Sequence, residues 1–203
     1  MSHGLGPTAH SDTFARDNLP PVESWPVFNL EKFQYPEYLN AGVELTDRMV
    51  EQGFGDNTAL IGNGRQRTYK ELSDWTNRIA HALAEDYGVK PGNRVLSRSA
   101  NNPAMVACWL AATKAGAVVV NTMPMLRAGE LGQIVDKAEI EFALCDTRLM
   151  DEIRCSDFRR PEPPETNGAL CPLPVCVRTD CDAGWEHRSG ISRCHITICF
   201  RFF

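Results

Sequence analysis

Arg94-Val95-Leu96-Ser97-Arg98, then Asn102-Pro103, then Ala117-Val118-Val119-Val120 stand close together in the chain and read as strand, helix start and strand. Asn102 suits a helix cap, and Pro103 suits the first turn, where a missing N–H costs nothing. Met105, Val106, Trp109 and Leu110 carry that helix to a stop at Gly116. Ala117 to Val120 is an apolar, β-branched run of the kind found in a sheet covered on both faces. Further on, Leu131, Ile134, Val135 and Ala138 recur at helical spacing, and Phe142 to Cys145 supplies another strand. Strand, helix, strand, helix, strand makes successive crossover connections, which require a parallel sheet with helices packed on it. The expected fold class is α/β, a partial doubly wound parallel sheet with flanking helices.

Upstream, Thr68-Tyr69-Lys70-Glu71 has capping-box form, and Leu72, Trp75, Ile79, Ala82, Leu83 and Tyr87 then mark one face of a helix ending at Gly88. Thr58 to Ile61, Gly62-Asn63-Gly64 and Arg65 to Tyr69 read as a β-hairpin, because Asn-Gly supplies the positive φ values of its turn. Pro36 is placed to start a helix through Leu39, Val43, Thr46 and Val50 that stops at Gly53. Residues 1–34, broken by Pro7, Pro20, Pro21 and Pro26, are expected to be an extended polar leader over the domain surface.

A chain of 203 residues is long enough for a core without staples, and 43% hydrophobic with 23% charged residues is a globular composition. A net charge of -5 argues against nucleic acid as a partner, since a phosphate reader needs a basic face. The longest apolar stretch, Ala104 to Val120, contains Lys114 and Gly116, too interrupted for a membrane span. With no secretory h-region in the first thirty residues, the expected location is cytoplasmic.

Residue usage changes near Ile153 to Cys155. Residues 1–154 hold all five lysines, 17 alanines and two cysteines, whereas residues 155–203 hold no lysine, two alanines, six cysteines, six arginines and five prolines. Cys171, Cys176, Cys181, Cys194, His195 and Cys199 invite a zinc reading, but no tight C-x2-C pair occurs among them. A disulfide framework needs an oxidising compartment. Enrichment in Arg, Pro and Cys with loss of Lys and Ala is the composition a GC-rich coding sequence gives in the wrong frame. Residues 154–203 are therefore expected to be a disordered or out-of-frame tail, with an interaction or zinc-binding protein as the alternative.

Several blocks carry a resemblance. Arg67-Thr68-Tyr69-Lys70-Glu71-Leu72, Asn77-Arg78-Ile79-Ala80 and Gly88-Val89-Lys90-Pro91-Gly92-Asn93-Arg94-Val95 resemble the opening of the adenylate-forming enzymes, the acyl-CoA synthetase superfamily. So do Trp109-Leu110-Ala111-Ala112-Thr113-Lys114-Ala115-Gly116 and Pro124-Met125-Leu126-Arg127-Ala128-Gly129-Glu130-Leu131. Tyr35-Pro36, Leu39-Asn40-Ala41, Asn101-Asn102-Pro103, Thr122-Met123-Pro124 and Ala143-Leu144-Cys145-Asp146 resemble the benzoate– and 2-aminobenzoate–CoA ligase branch. The likeness covers roughly residues 28–153 and implies that residues 35–153 are an incomplete N-terminal α/β subdomain of an AMP-dependent ligase. It implies ATP, magnesium and coenzyme A as cofactors and a small carboxylic acid, aromatic by branch, as substrate.

The same likeness implies a phosphate loop of Ser, Thr and Gly ending in Pro-Lys, and a late lysine. These 203 residues contain neither, nor a G-x-x-x-x-G-K-[ST] or G-x-G-x-x-G motif, and no lysine follows Lys137. The expectation is a scaffold with no catalytic, cofactor-binding or metal residue of its own, inactive alone. An uncovered sheet surface would favour self-association or chaperones. Among conspicuous residues, His81 reads as a surface histidine, Gly62 and Gly64 as a turn, and Asn101 and Asn102 as capping. Arg127 reads as a solvated helix-start arginine, with an anion contact implied by the resemblance only, and Trp75 and Trp109 read as core anchors.

Overall fold

The computed structural model describes residues 6–27 and 31–155. Three strands, β3 (Arg94–Arg98), β4 (Val118–Thr122) and β5 (Phe142–Cys145), form a parallel sheet in the order β4-β3-β5. They are preceded by an antiparallel hairpin of β1 (Thr58–Gly62) and β2 (Arg65–Thr68). Helix α5 (Pro103–Lys114) links β3 to β4, and α6 (Ala128–Ala138) links β4 back past β3 to β5. The second connection reverses direction across the sheet, and with right-handed crossovers, the usual hand, the two helices fall on opposite faces, as their separate core clusters show. Side-chain alternation follows. Val95, Phe142 and Leu144 pack with α5 and with α4 (Tyr69–His81), whereas Leu96, Ala143 and Cys145 pack with α6 and the terminal helix α7 (Met150–Cys155). The sheet is doubly wound, as expected.

Burial does not follow apolar composition. All five residues of central β3 are buried, Arg94, Ser97 and Arg98 included, while Val118, Val119 and Val120 of edge strand β4 are only half-buried. The expectation that the valine run is covered on both faces therefore fails among the described residues. Position in the sheet sets burial here, since the centre has neighbours on both edges.

Local chemistry fixes the element ends. Thr68 Oγ1 accepts from the Glu71 N–H at 3.2 Å and Glu71 Oε2 accepts from the Thr68 N–H at 2.9 Å, which completes the capping box of α4. Those bonds, with Arg65 beside the carboxylate, hold Glu71 below the usual carboxylate range. Beyond His81 the helix loosens into a π-turn over Ala82–Asp86, and Gly88 follows with φ +70°. Asn102 Oδ1 caps α5 through the Met105 N–H at 2.9 Å. The hairpin turns on Asn63 and Gly64, both at positive φ.

The helix expected from Pro36 is a correction. Pro36 lies outside any helix, and the stretch forms short α2 (Ala41–Glu44) and α3 (Asp47–Met49), which runs into a π-turn over Val50–Phe54. Asn40 sets that start: its Oδ1 accepts from the N–H groups of Gly42 and Val43, while its Nδ2 donates to the carbonyls of Thr113 and Lys114, both at 3.1 Å. One side chain thus caps the beginning of α2 and the end of α5. The expected face of Leu39 and Val43 is largely exposed for the same reason, because the helix begins too late to bury it.

Among the described residues of the leader, 3₁₀ turns form at Val22–Ser24 and Glu31–Phe33, and the one α-helix is the short α1 (Phe14–Asp17). Just before it, the N–H groups of Ser11 and Asp12 donate to the Pro91 carbonyl at 3.1 and 3.0 Å. Asp12 pairs with Arg94, and the Phe14 ring lies 4.3 Å from that guanidinium. Arg94 also donates to the carbonyls of Ala138 and Glu139 at 2.8 and 2.9 Å, closing the end of α6.

Candidate functional site

In an open α/β sheet the place for a ligand is the crevice outside the carboxyl ends of strands whose connections leave to opposite faces. Here that crevice lies between β3, which feeds α5, and β5, which feeds α7 on the other face. Ser97, Ser99, Met105, Cys108, Cys145 and Asp146 line a cavity there of about 10 Å³, the size that admits one water.

Each ionisable or reactive group at this edge is occupied. Asp146 is 2% exposed, and its two oxygens accept from Arg148 Nε at 3.0 Å and Nη2 at 2.6 Å. Burial pushes the Cys108 thiol up to about 12, so it stays protonated and unreactive. Arg98, at the last position of β3 and 1% exposed, donates to four carbonyls: Met123 at 3.0 Å, Pro124 at 3.0 Å, Leu126 at 2.8 Å and Leu149 at 3.4 Å. Glu152 of α7 accepts from Arg127 Nη1 at 2.7 Å and from the Ala128 N–H at 3.0 Å, and these bonds hold its carboxyl below the usual range. An acid at the first turn of α6 also suits the helix dipole. The arrangement fixes backbone in place, and each of these charged groups is engaged within the described residues.

A second polar cluster lies on the α4–α5 side. Lys114 Nζ is 2.7 Å from Asp47 Oδ2 and 2.7 Å from Asn77 Oδ1, and Ser73 and Asn77 also donate to Asp47. Burial alone would raise the Asp47 pKa, but the hydrogen bonds from Lys114, Ser73 and Asn77 outweigh it and leave the carboxyl below its ordinary value.

The conspicuous residues fall as follows. His81 is exposed and 3.2 Å from Glu85 one turn on. Gly62 and Gly64 sit in the hairpin, and Asn102 caps α5. Arg127 is exposed but ion-paired with Glu152, a partner the sequence did not suggest. Trp75 and Trp109 pack partly buried against the main core, with Arg67 stacked over Trp75 at 4.6 Å. Among the described residues no group of three metal-ligating side chains occurs. The tail cysteines and His195 lie outside the described residues. Arg98, Asp146 and the Asp47–Lys114 pair went unnoticed in the sequence. A charged residue ending an apolar strand was the available signal for Arg98.

A family model described as AMP-binding enzyme matches residues 47–177, well over half of the chain. The chain belongs to the AMP-binding enzyme family. The match runs past Ile153, where residue usage changes. A 3-hydroxybenzoate–CoA/4-hydroxybenzoate–CoA ligase of Thauera aromatica is 28% identical over 149 residues, which is 72% of this chain and 28% of that ligase. A 3-hydroxybenzoate–CoA ligase of Aromatoleum sp. (strain CIB) is 32% identical over 111 residues, 55% of this chain and 21% of that ligase. Among solved structures, the anthranilate CoA ligase AuaEII in complex with anthranoyl-AMP superposes with a TM-score of 0.55 at 23% identity, covering 61% of this chain and 24% of that one. At that identity the likeness concerns the fold. The chain spans about a quarter of the length of the relatives it matches. Within the family fold, no helix among the described residues is long and apolar enough to cross a membrane.

Proposed function

We propose that these residues are the scaffold of an ATP-dependent acid–CoA ligase acting on a small aromatic carboxylic acid in the cytoplasm. In that reaction the carboxylate attacks the α-phosphorus of ATP and expels pyrophosphate. The thiol of coenzyme A then attacks the acyl carbon and expels AMP, with magnesium neutralising the phosphates. Residues 35–153 would form the N-terminal α/β subdomain that positions this chemistry without performing it.

One observation carries the reading: the blocks that resemble the family meet one another in space and spend their polar groups on each other. Lys114 from one block binds Asn77 from another. The Gly92 N–H donates to the Gly116 carbonyl at 2.8 Å, and Asn40 holds the end of α5. Groups so engaged are committed to the frame. The absence from the sequence of a Ser/Thr/Gly loop ending in Pro-Lys supports the same division of labour.

A chimera tests it. Residues 36–153 would replace the matching segment of the Aromatoleum 3-hydroxybenzoate–CoA ligase, and thioester formation would be followed with acid, ATP, magnesium and coenzyme A. The expected result is a folded chimera whose activity still depends on both ATP and coenzyme A. A chimera that folds and binds ATP yet forms no thioester would count against the scaffold reading.

A further inference from the structure

The four carbonyls around Arg98 come from two separate connections. Met123, Pro124 and Leu126 belong to the link between β4 and α6, and Leu149 belongs to the turn between β5 and α7. Around the guanidinium the first link is also held by Leu126 packing on the core and by Arg127 bonding Glu130 and Glu152. Pro124 has no N–H, and the backbone bond that closes the turn is Leu126 N–H to Met123 O at 3.2 Å. With its carbonyls turned inward to the guanidinium, the link points Met123 and Met125 outward, 60% and 79% exposed. Without the cation, three carbonyls would lose the donor they share around a side chain that is 1% exposed, which costs free energy.

We propose that Arg98 makes the two connections a single cooperative unit, so that they order and open together and a ligand held by either one orders the other. The inference does not depend on the acid–CoA ligation reading, because it concerns local opening of the chain itself. The Nη atoms of Arg98 hold the first connection and its Nε reaches Leu149 of the second, so one rigid guanidinium plane spans both. A guanidinium has a planar fork of donors suited to several carbonyls at once, which a lysine lacks. A second bridge, from Glu152 to Arg127 and the Ala128 N–H, ties α7 to the start of α6 and has to be separated from the first.

Hydrogen exchange of the 203-residue chain, read by NMR at single amides, tests the proposal without a mutation. The Leu126 N–H reports one connection and the Leu149 N–H, bonded to Asp146 O at 2.9 Å, reports the other. Their protection factors should agree within about threefold, fall together in dilute urea, and lie below those of Val95 and Leu96 in the core. Protection differing by more than about tenfold, unequal urea dependence, or exchange of both only with the core would each overturn it. Arg98→Met should raise exchange at both amides by at least about tenfold, while Glu152→Gln should raise it at Ala128 and leave Leu126 and Leu149 matched. If Arg98→Met releases only one amide, the coupling runs elsewhere and the proposal fails. Should that variant not fold, the wild-type measurement decides alone.

Discussion

Replacing Lys114 with methionine should cost the domain about 2–3 kcal/mol. Truncating one member of a fully buried ion pair costs roughly 3–5 kcal/mol, because the other charge is left unpaired. The Lys114 side chain is 5% exposed, but Asp47 keeps 27% of its surface in water, and screening there reduces the loss. The Asn77 carbonyl oxygen also loses its donor at 2.7 Å. For a domain of this size the melting temperature should fall by about 8–15 °C. A double-mutant cycle with Asp47→Asn should give a coupling of about 1 kcal/mol or more. Acid sharpens the test. The folded-state pKa of Asp47 is depressed, so its stabilisation is present above the unfolded value of about 3.9 and is lost as pH falls through the folded value. Wild type should therefore lose stability faster than Lys114→Met on going from neutral pH into acid, and the gap between them should narrow. Thermal melts by circular dichroism across that range measure both. A variant melting within about 2 °C of wild type at neutral pH, or a gap that does not narrow in acid, would refute the reasoning.

Asn40→Ala should cost about 1–2 kcal/mol, since it removes the cap of α2 and the ties to the end of α5 together. Asn40→Asp should recover only part of that in urea unfolding, because it keeps the acceptor, loses the donor and adds charge at a helix end. Cys108 should resist alkylation at pH 8 in the folded protein and react in denaturant, as peptide mapping after iodoacetamide will show; reaction at the rate of a free thiol would contradict its burial. Gly92 has φ +93°, and a Cβ there would lie 2.0 Å from the Asp12 carbonyl oxygen. Gly92→Ala should therefore cost at least about 1–2 kcal/mol and speed tryptic cleavage at Arg16 as the leader lifts off; unchanged melting and cleavage would contradict that packing.

The winding of the sheet was legible because its signals are local and periodic. Asn102-Pro103 announces a helix start whatever surrounds it, and the run from Thr68 to Tyr87 shows one face of a helix. What escaped depends on residues far apart in the chain. Asn40 caps two helices, one of them 73 residues away, so nothing near Pro36 could show that the helix begins at Ala41. The valines of β4 look more deeply buried than Arg94-Val95-Leu96-Ser97-Arg98, yet strand order puts the charged strand at the centre. Arginine survives there because carbonyls at both ends of β3 receive it. The partner of Arg127, likewise, sits 25 residues on, in α7.

As the proposed frame of a ligase, these residues should carry no nucleotide site of their own, and titration calorimetry of the 203-residue chain with ATP and magnesium tests that directly. The predicted result is no binding tighter than a Kd of about 1 mM, worth roughly -4 kcal/mol. A stoichiometric heat with a Kd below that value would place nucleotide recognition within this chain and contradict its role as a scaffold alone.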